Sequence, residues 1–219
     1  MESYYKNWEK DKRQIGKIGF INARRAHPCR KAFADWVENS NGIKSILEAG
    51  PGEMIEYSLL KKKGLDIDYS IVDVSGLFID NCKEKYPEVK TYRMPLEKIN
   101  GIKKKQFDCV YQCSVFEHSS DIKSAIKNFM NLGKNFHFTF FKWSYSGGLK
   151  ENYNKAKDVY SSYFNIYKIF EEICKYGEIE SKQVCMNKTK ELVDFDEFSK
   201  GKSGKWRSGD YLMVKGKTQ

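Results

Sequence analysis

The sequence predicts an α/β fold: a seven-stranded, mostly parallel sheet with helices on both faces and a final antiparallel pair of strands. Short apolar runs alternate with amphipathic stretches from residue 44 onward, and such alternation requires crossover connections between parallel strands. Two late apolar runs, separated by a polar insertion rich in glycine, predict the antiparallel pair.

A helix is predicted ahead of the first strand. Residues 30–38, RKAFADWVE, carry Phe33, Trp36 and Val37 at helical spacing, and the polar residues 39–42 end the pattern.

Strands and helices then alternate in chain order. The predicted strands are 45–48, 69–74, 89–93, 107–113 and 135–143. The predicted helices are 54–63, 76–85 and 120–132, and each of these helices is ended by a following Gly or Pro. A long helix is predicted over 155–175, where an apolar stripe has helical spacing. Residues 179–186 and 211–215 are the predicted late strands.

Composition favours one domain in a reducing compartment. The chain has 219 residues, of which 40% are hydrophobic, and this is enough for one ordinary core. No apolar run is long enough to span a membrane, and the first 20 residues are too charged for a signal peptide, so we expect a cytoplasmic protein with no membrane partner. The six cysteines lack CxxC spacing and the three histidines lie far apart, so we expect reduced thiols and no metal.

The net charge of +10 leaves two interpretations open. Lysine and arginine neutralise phosphates, which would suit a nucleic-acid partner. However, 33 of the 39 basic residues are lysine, whereas arginine is the residue that reads phosphates and base edges with two parallel bonds. We therefore prefer a lysine-rich solvated surface, with nucleic acid as the alternative.

The segment ILEAGPGEMIEY, residues 46–57, is the most informative in the chain. Its glycines directly follow the first predicted strand of the sheet, where α/β proteins bind ligands. A dinucleotide site would require a third glycine where Ile55 stands, and the Glu48 carboxylate would repel phosphates while attracting a cation. A cationic cofactor without phosphate is therefore favoured.

At this point the sequence resembles the class I S-adenosylmethionine-dependent methyltransferases. Residues 48–52, EAGPG, match the first motif of that family, with its frequent third glycine replaced by Glu53. Asp73 ends the second strand, where the family uses an acid to bind both ribose hydroxyls, and residues 107–121 resemble its fourth strand and following loop. The resemblance covers residues 45–143 and implies a Rossmann-like fold, S-adenosylmethionine as cofactor and S-adenosylhomocysteine as product.

The resemblance also implies a set of cofactor-binding residues and a division of the single domain. The cofactor-binding residues are Glu48, Ala49, Gly50, Pro51, Gly52, Asp73, Val74, Leu96, Gln112, Cys113 and Ser114. The expected acid near the adenine is displaced or absent in residues 93–97. Within the domain, residues 1–42 form a helical or lid segment, 43–143 the cofactor-binding core, and 144–219 a substrate-side helix and a terminal hairpin.

The methyl acceptor is less constrained by the sequence. The Asn/Asp-Pro-Pro-Tyr/Phe signature of amino methylation on bases and glutamine amides is absent after the fourth strand. His118 is a candidate base for a substrate hydroxyl, although bracing the next helix is the alternative role. Six residues are expected on the substrate side: Tyr4, Tyr5, Trp8, Lys142, Trp143 and Tyr145.

The predicted function is methyl transfer to a small-molecule or glycan-type acceptor, at oxygen. The alternatives are a methyltransferase acting on RNA or DNA and a catalytically inactive binding module with the same fold.

Overall fold

The computed structural model describes residues 27–99, 101–141, 143–145, 150–154, 159–186, 189–202 and 210–219. The helices are α1 (Pro28–Asn39), α2 (Ile55–Lys62), α3 (Gly76–Lys85), α4 (Ile122–Met130), α5 (Ile166–Cys174) and α6 (Phe195–Ser199). The strands are β1 (Ser45–Ala49), β2 (Asp68–Asp73), β3 (Lys90–Arg93), β4 (Phe107–Cys113), β5 (Gly133–Phe140), β6 (Trp143–Ser144), β7 (Lys150–Asn154), β8 (Val159–Asn165), β9 (Gly177–Cys185), β10 (Leu192–Asp194) and β11 (Tyr211–Thr218). Short 3₁₀ turns cover Leu96–Lys98 and Phe116–His118.

Within the ranges just given, the main sheet has eight strands in the order β10-β9-β11-β5-β4-β1-β2-β3. Strands β1 to β5 are parallel, whereas β11 runs antiparallel to both β5 and β9. The predicted α/β fold is confirmed, but the predicted count of seven strands is wrong. The additional strand is β10, which lies inside the polar insertion and pairs antiparallel with β9.

Helices cover both faces of this sheet, as predicted. Strand residues alternate between the faces: Leu47 and Val110 pack in the cluster that contains α4 and α5, whereas Ile46 and Cys109 pack in the cluster with α1, α2 and α3. Among the described residues, no helix is long and apolar enough to cross a membrane.

The predicted helix over 155–175 is wrong in its first half. Residues 159–165, VYSSYFN, form strand β8, which pairs with β6 and β7 in a separate three-stranded sheet. β-Branched and aromatic residues favour that strand. The helix begins only after Asn165, whose side-chain oxygen accepts bonds from the amides of Tyr167 (3.1 Å) and Lys168 (3.4 Å).

The predicted strand over 135–143 is two separate strands in the structure. It becomes β5, which ends at Phe140, and the two-residue β6, which starts the small sheet. The small sheet is therefore an insertion between β5 and α5.

The topology brings the ends of β1, β2 and β4 to one edge of the main sheet, because these strands are parallel. The residues at this carboxyl edge are Ala49, Asp73 and Cys113. Backbone bonds join the segments that follow: the Gly50 amide donates to the Val72 carbonyl (2.9 Å) and the Met94 amide to the Asp73 carbonyl (3.1 Å).

Candidate active site

The glycine turn after β1 has a left-handed backbone at alternate positions. Gly50 has φ 59° and Gly52 has φ 53°. A Cβ added at Gly50 would lie 2.5 Å from Val115 Cγ2, so the loop after β4 packs directly on this residue. A Cβ added at Gly52 would meet no atom within 4 Å among the described residues, so Gly52 faces open space. The turn therefore joins two strand ends and leaves room for a ligand.

The third left-handed position of the turn is Met54, with φ 57°, and not Glu53 as the motif alignment suggested. Met54 is 1% exposed and packs in the core with α2 and α3. Left-handed backbone costs a non-glycine residue roughly 1–2 kcal/mol, and burial of the methionine side chain offsets this cost. The turn keeps its shape without the third glycine.

Glu48 is buried rather than exposed to a ligand. Its carboxyl is 1% exposed and accepts a 2.8 Å bond from the Tyr69 hydroxyl. Burial, together with the neighbouring Glu56 carboxyl, raises the pKa of Glu48 well above its usual range. The interpretation of Glu48 as an open negative charge does not match its surroundings, because its side chain is buried and bonded to the Tyr69 hydroxyl.

Glu56 is a further buried acid that the motif analysis missed. It is fully buried on α2, bonds Arg30 of α1 and accepts a 2.8 Å bond from the Tyr111 hydroxyl. The sequence did contain a signal, since Glu56 lies at helical spacing with the buried Leu60 and so falls on the apolar face of its helix.

Asp73 lies at the end of β2, and one of its two carboxyl oxygens is already hydrogen-bonded within the protein. Its Oδ1 accepts a 2.8 Å bond from the Ser75 amide, and the Ser75 hydroxyl accepts a 3.4 Å bond from the Phe78 amide at the start of α3. Burial raises the pKa of Asp73 to about 6, although bonds from the Ser75 and Val74 amides oppose the rise. At neutral pH the group is mostly a carboxylate, which is the form that accepts bonds from two hydroxyls.

The loop after β4 is held by Gln112. Its side chain is fully buried, donates to the Thr139 carbonyl (3.1 Å) and accepts from the Val115 amide (2.9 Å). Ser114 between them has φ 58°, and its buried hydroxyl has no hydrogen-bond partner among the described residues. A buried hydroxyl of this kind can bind a polar group of a ligand.

The segment after β3 is also tied to a loop. Glu97 accepts bonds from the Ser119 hydroxyl (2.7 Å) and the Ser120 amide (2.8 Å). Burial opposes ionisation of Glu97, but these bonds outweigh it and lower the pKa. The Glu97 carboxylate is therefore already hydrogen-bonded within the protein, while Leu96 beside it is buried in the core.

The 3₁₀ turn Phe116–His118 lies at the same edge of the sheet. Glu117 is 2% exposed and accepts a 2.7 Å bond from the Phe141 amide, which fixes the turn against the end of β5. His118 is half-buried, its amide bonds the Val115 carbonyl (2.9 Å), and strand β8 packs against the turn.

The predicted substrate-side residues are only partly described. Trp143 is fully buried and its indole N–H donates to the Asp210 carbonyl (2.9 Å), so it is a core residue rather than a pocket wall. Tyr145 is 8% exposed and packs edge-on against Trp143. The other four, Tyr4, Tyr5, Trp8 and Lys142, lie outside the described residues.

These features fit S-adenosylmethionine. Three features lie together at the carboxyl edge of the sheet: the open space beside Gly52, the Ser114 hydroxyl and the Asp73 carboxylate. No group of three or more His, Cys, Asp or Glu in the described parts of the chain has the arrangement of a metal site.

Comparisons with known proteins agree with this geometry. Residues 47–135 match the family model of the methyltransferase domain. The Burkholderia thailandensis 1,6-didemethyltoxoflavin-N1-methyltransferase, bound to 1,6-didemethyltoxoflavin and S-adenosylhomocysteine, is 13% identical with a TM-score of 0.67, over 100% of this chain and 90% of that chain. No curated protein sequence matches the chain.

Two further structures share the fold and contain S-adenosylhomocysteine. The N-terminal domain of EvdMO1, crystallised in the presence of D-fucose, is 13% identical with a TM-score of 0.62, over 89% of this chain and 84% of that chain. The N-methyltransferase NodS from Bradyrhizobium japonicum is 11% identical with a TM-score of 0.59, over 99% and 97%. The chain therefore shares the fold of class I S-adenosylmethionine-dependent methyltransferases, and its residues 47–135 match the methyltransferase domain.

Proposed function

We propose that this enzyme methylates a small-molecule or glycan-type acceptor at a hydroxyl oxygen. The small sheet β6–β8 is the observation that carries the proposal. It is inserted after β5, and β8 packs against the turn Phe116–His118 at the carboxyl edge of the main sheet. An edge covered in this way favours a compact acceptor over a long polymer.

The residues of the chain would divide the work of binding and proton transfer. The cofactor supplies an electrophilic methyl group on its sulfonium. The Asp73 carboxylate would accept bonds from the ribose hydroxyls, and the open space at Gly52 would admit the cofactor close to the backbone. His118 would take the proton of the acceptor hydroxyl, so that its oxygen becomes the nucleophile for methyl transfer.

Incubation with S-adenosylmethionine and an acceptor panel tests this function. The panel contains sugars, phenols, aliphatic alcohols and small amines, and S-adenosylhomocysteine release is the readout. We expect release with a hydroxyl acceptor and its loss in His118→Gln. Turnover of amines alone would refute the oxygen assignment, and this arm matters because two structural relatives are named N-methyltransferases.

A nucleic-acid acceptor is the second candidate, because of the +10 charge. Its two lysine clusters, 61–63 and 103–105, lie at the end of α2 and just before β4. Both positions belong to the edge of the sheet opposite Asp73 and Gly52. Steeply salt-dependent RNA or DNA methylation would support this candidate over the first.

A non-catalytic binding module is the third candidate. It would bind S-adenosylhomocysteine in calorimetry but release none from S-adenosylmethionine with any acceptor. The half-buried His118 beside the candidate cofactor residues supports catalysis over this alternative.

A further inference from the structure

Three cysteines that are far apart in the sequence meet beside the loop after β4. Cys29 begins α1, Cys113 ends β4 and Cys185 ends β9. Cys29 and Cys185 are both fully buried and share a cluster with Met213, and the partly buried Cys113 packs against this cluster. Only Cys113 of the three has its side chain partly open.

The contacts divide these thiols into different roles. The Cys29 thiol has an imidazole beside it, since His27 Nδ1 lies 3.0 Å from its Sγ. Cys113 packs against the cluster that contains Cys29, and its partly open side chain can meet a reagent from solvent. Cys29 and Cys113 are therefore the two thiols best placed to react.

The surroundings make the pair asymmetric. The neighbouring Cys29 side chain and the Arg30 guanidinium lower the pKa of Cys113, whereas burial and the Glu56 carboxyl oppose this. Burial raises the pKa of Cys29 well above its usual range. The His27 imidazole is the base beside the Cys29 thiol. A partly open thiol of lowered pKa, paired with a buried thiol next to an imidazole, is the arrangement of a nucleophilic and a resolving cysteine.

We propose that Cys113 and Cys29 form a peroxide-oxidisable thiol pair that closes to a disulfide. The Cys113 thiolate attacks one oxygen of hydrogen peroxide, the O–O bond breaks, and hydroxide departs as the leaving group. Cys113 is then a sulfenic acid. The Cys29 thiol then gives its proton to His27 Nδ1, and its sulfur attacks the Cys113 sulfur and expels hydroxide. Two thiols are oxidised and one peroxide is reduced to two waters once the hydroxides are protonated.

The other cysteines of the chain provide internal controls. Burial raises the pKa of Cys82 to about 11, and burial also raises that of Cys109. Both pack among hydrophobic residues in the cluster with α1, α2 and α3, and the Cys109 thiol donates to the Val110 carbonyl (3.5 Å). Cys174 is exposed on α5 and reports the background reactivity of an open thiol.

The test is peroxide titration of the full chain after removal of reductant, followed by digestion and mass spectrometry without reduction. We expect a peptide linked through Cys29 and Cys113 at peroxide doses that leave Cys82 and Cys109 reduced. A Cys174→Ser background removes intermolecular disulfides. A linkage between Cys29 and Cys185, or oxidation of Cys174 before Cys113, would overturn the proposal.

Removing the resolving residue gives a second and independent readout. In Cys29→Ser, the sulfenic acid on Cys113 cannot close to a disulfide with Cys29, so dimedone should label Cys113 after peroxide treatment. Cys185→Ser is the matched control and should still form the linked peptide. Absence of dimedone label in folded Cys29→Ser, as judged by circular dichroism, contradicts the mechanism. If that variant does not fold, the peptide map of the unsubstituted chain decides alone.

Discussion

Gly50 and Gly52 have nearly the same backbone conformation but different surroundings. At Gly50 the Val115 side chain fills the position of an added Cβ, whereas at Gly52 no atom of the described part of the chain comes within 4 Å of that position. The two glycines therefore have separable roles, one in packing two strand ends together and the other in admitting a ligand.

Alanine substitutions should separate these roles. Gly50→Ala combines left-handed strain of about 1–2 kcal/mol with a 2.5 Å contact to Val115. Gly52→Ala has the strain alone, so it should destabilise the fold less and weaken S-adenosylhomocysteine binding more than its stability loss explains. Urea unfolding and calorimetry of both variants check this, and equal stability losses would contradict it.

Asp73 should make cofactor binding depend on pH. Because the pKa of Asp73 is raised to about 6 by burial, the carboxylate that accepts the ribose hydroxyls is present above that pH and is lost below it. Affinity for S-adenosylhomocysteine should therefore fall as the pH drops from 7 to 5.

Asp73→Asn supplies the control for this pH dependence. It removes a charged acceptor, which typically contributes about 1.5–3 kcal/mol per hydrogen bond, so binding should weaken roughly 10- to 100-fold. The pH dependence between 5 and 7 should disappear with it. A parallel pH slope in Asp73→Asn would mean that another group titrates.

His137 is a second titrating residue, remote from the site. It is buried among Phe33, Trp36 and Tyr111, its Nδ1 has no partner among the described residues, and burial lowers its pKa to about 3. The unfolded chain binds a proton at this residue below the ordinary pKa of 6.5, while the folded chain does not. Because only the unfolded chain gains this proton, protonation at residue 137 leaves the free energy of unfolding unchanged above pH 6.5. It lowers that free energy progressively as the pH falls from 6.5 toward 3.

His137→Leu should remove this pH-dependent loss. Between pH 6 and 4, the parent should lose up to about 1.4 kcal/mol of stability per pH unit relative to the variant. Denaturant unfolding of both proteins over this range measures the difference. Identical pH slopes for parent and variant would refute the assignment to His137.

At the scale of elements, α1 is joined to α2 by the Arg30–Glu56 ion pair. The side chains are 12% and 0% exposed, so each partner depends on the other. Arg30→Met should cost roughly 3–5 kcal/mol, because it leaves a buried acid without its cation.

The double variant Arg30→Met with Glu56→Gln should recover part of this loss, since it removes both partners together. Urea denaturation of the single and double variants forms a mutant cycle. If the double variant were less stable than Arg30→Met alone, the ion pair would not be the source of the loss.

The sequence predicted elements whose signals are local. Strand β4 and helix α3 agree with the predicted bounds, because apolar runs and terminal glycine or proline are read within a few residues. The strand β8 was missed because its apolar residues continue the helical spacing of α5, and only the Asn165 cap separates the two elements.

The position of the candidate site in the fold was predictable from the sequence, but the surroundings of its acidic side chains were not. Its motif residues lie at the predicted edge because strand direction follows from the alternation of elements. The raised pKa of Glu48 depends on its burial and on the neighbouring Glu56 carboxyl, and the thiol cluster depends on residues 29, 113 and 185. Such contacts arise from tertiary packing, which no local pattern encodes.

At the scale of the whole molecule, the two edges of the sheet carry different chemistry. The candidate site lies at the carboxyl edge, whereas the lysine clusters lie at the amino edge. Lys103→Glu with Lys104→Glu should therefore leave kcat/KM for a small acceptor unchanged. Methylation assays at two salt concentrations check this, and a large loss of activity in the variant would favour a polyanionic acceptor.

The position of β11 sets an order for biosynthesis. Strand β11 lies between β5 and β9 in the sheet but follows both in the chain. While the ribosome is making the chain, β1 to β5 can pair with one another, but the sides of β5 and β9 that pair with β11 stay unpaired until β11 emerges. The nascent chain therefore exposes two open strand edges until its last strand has left the exit tunnel, and this stage is when chaperone binding or mispairing with a neighbouring nascent chain would occur.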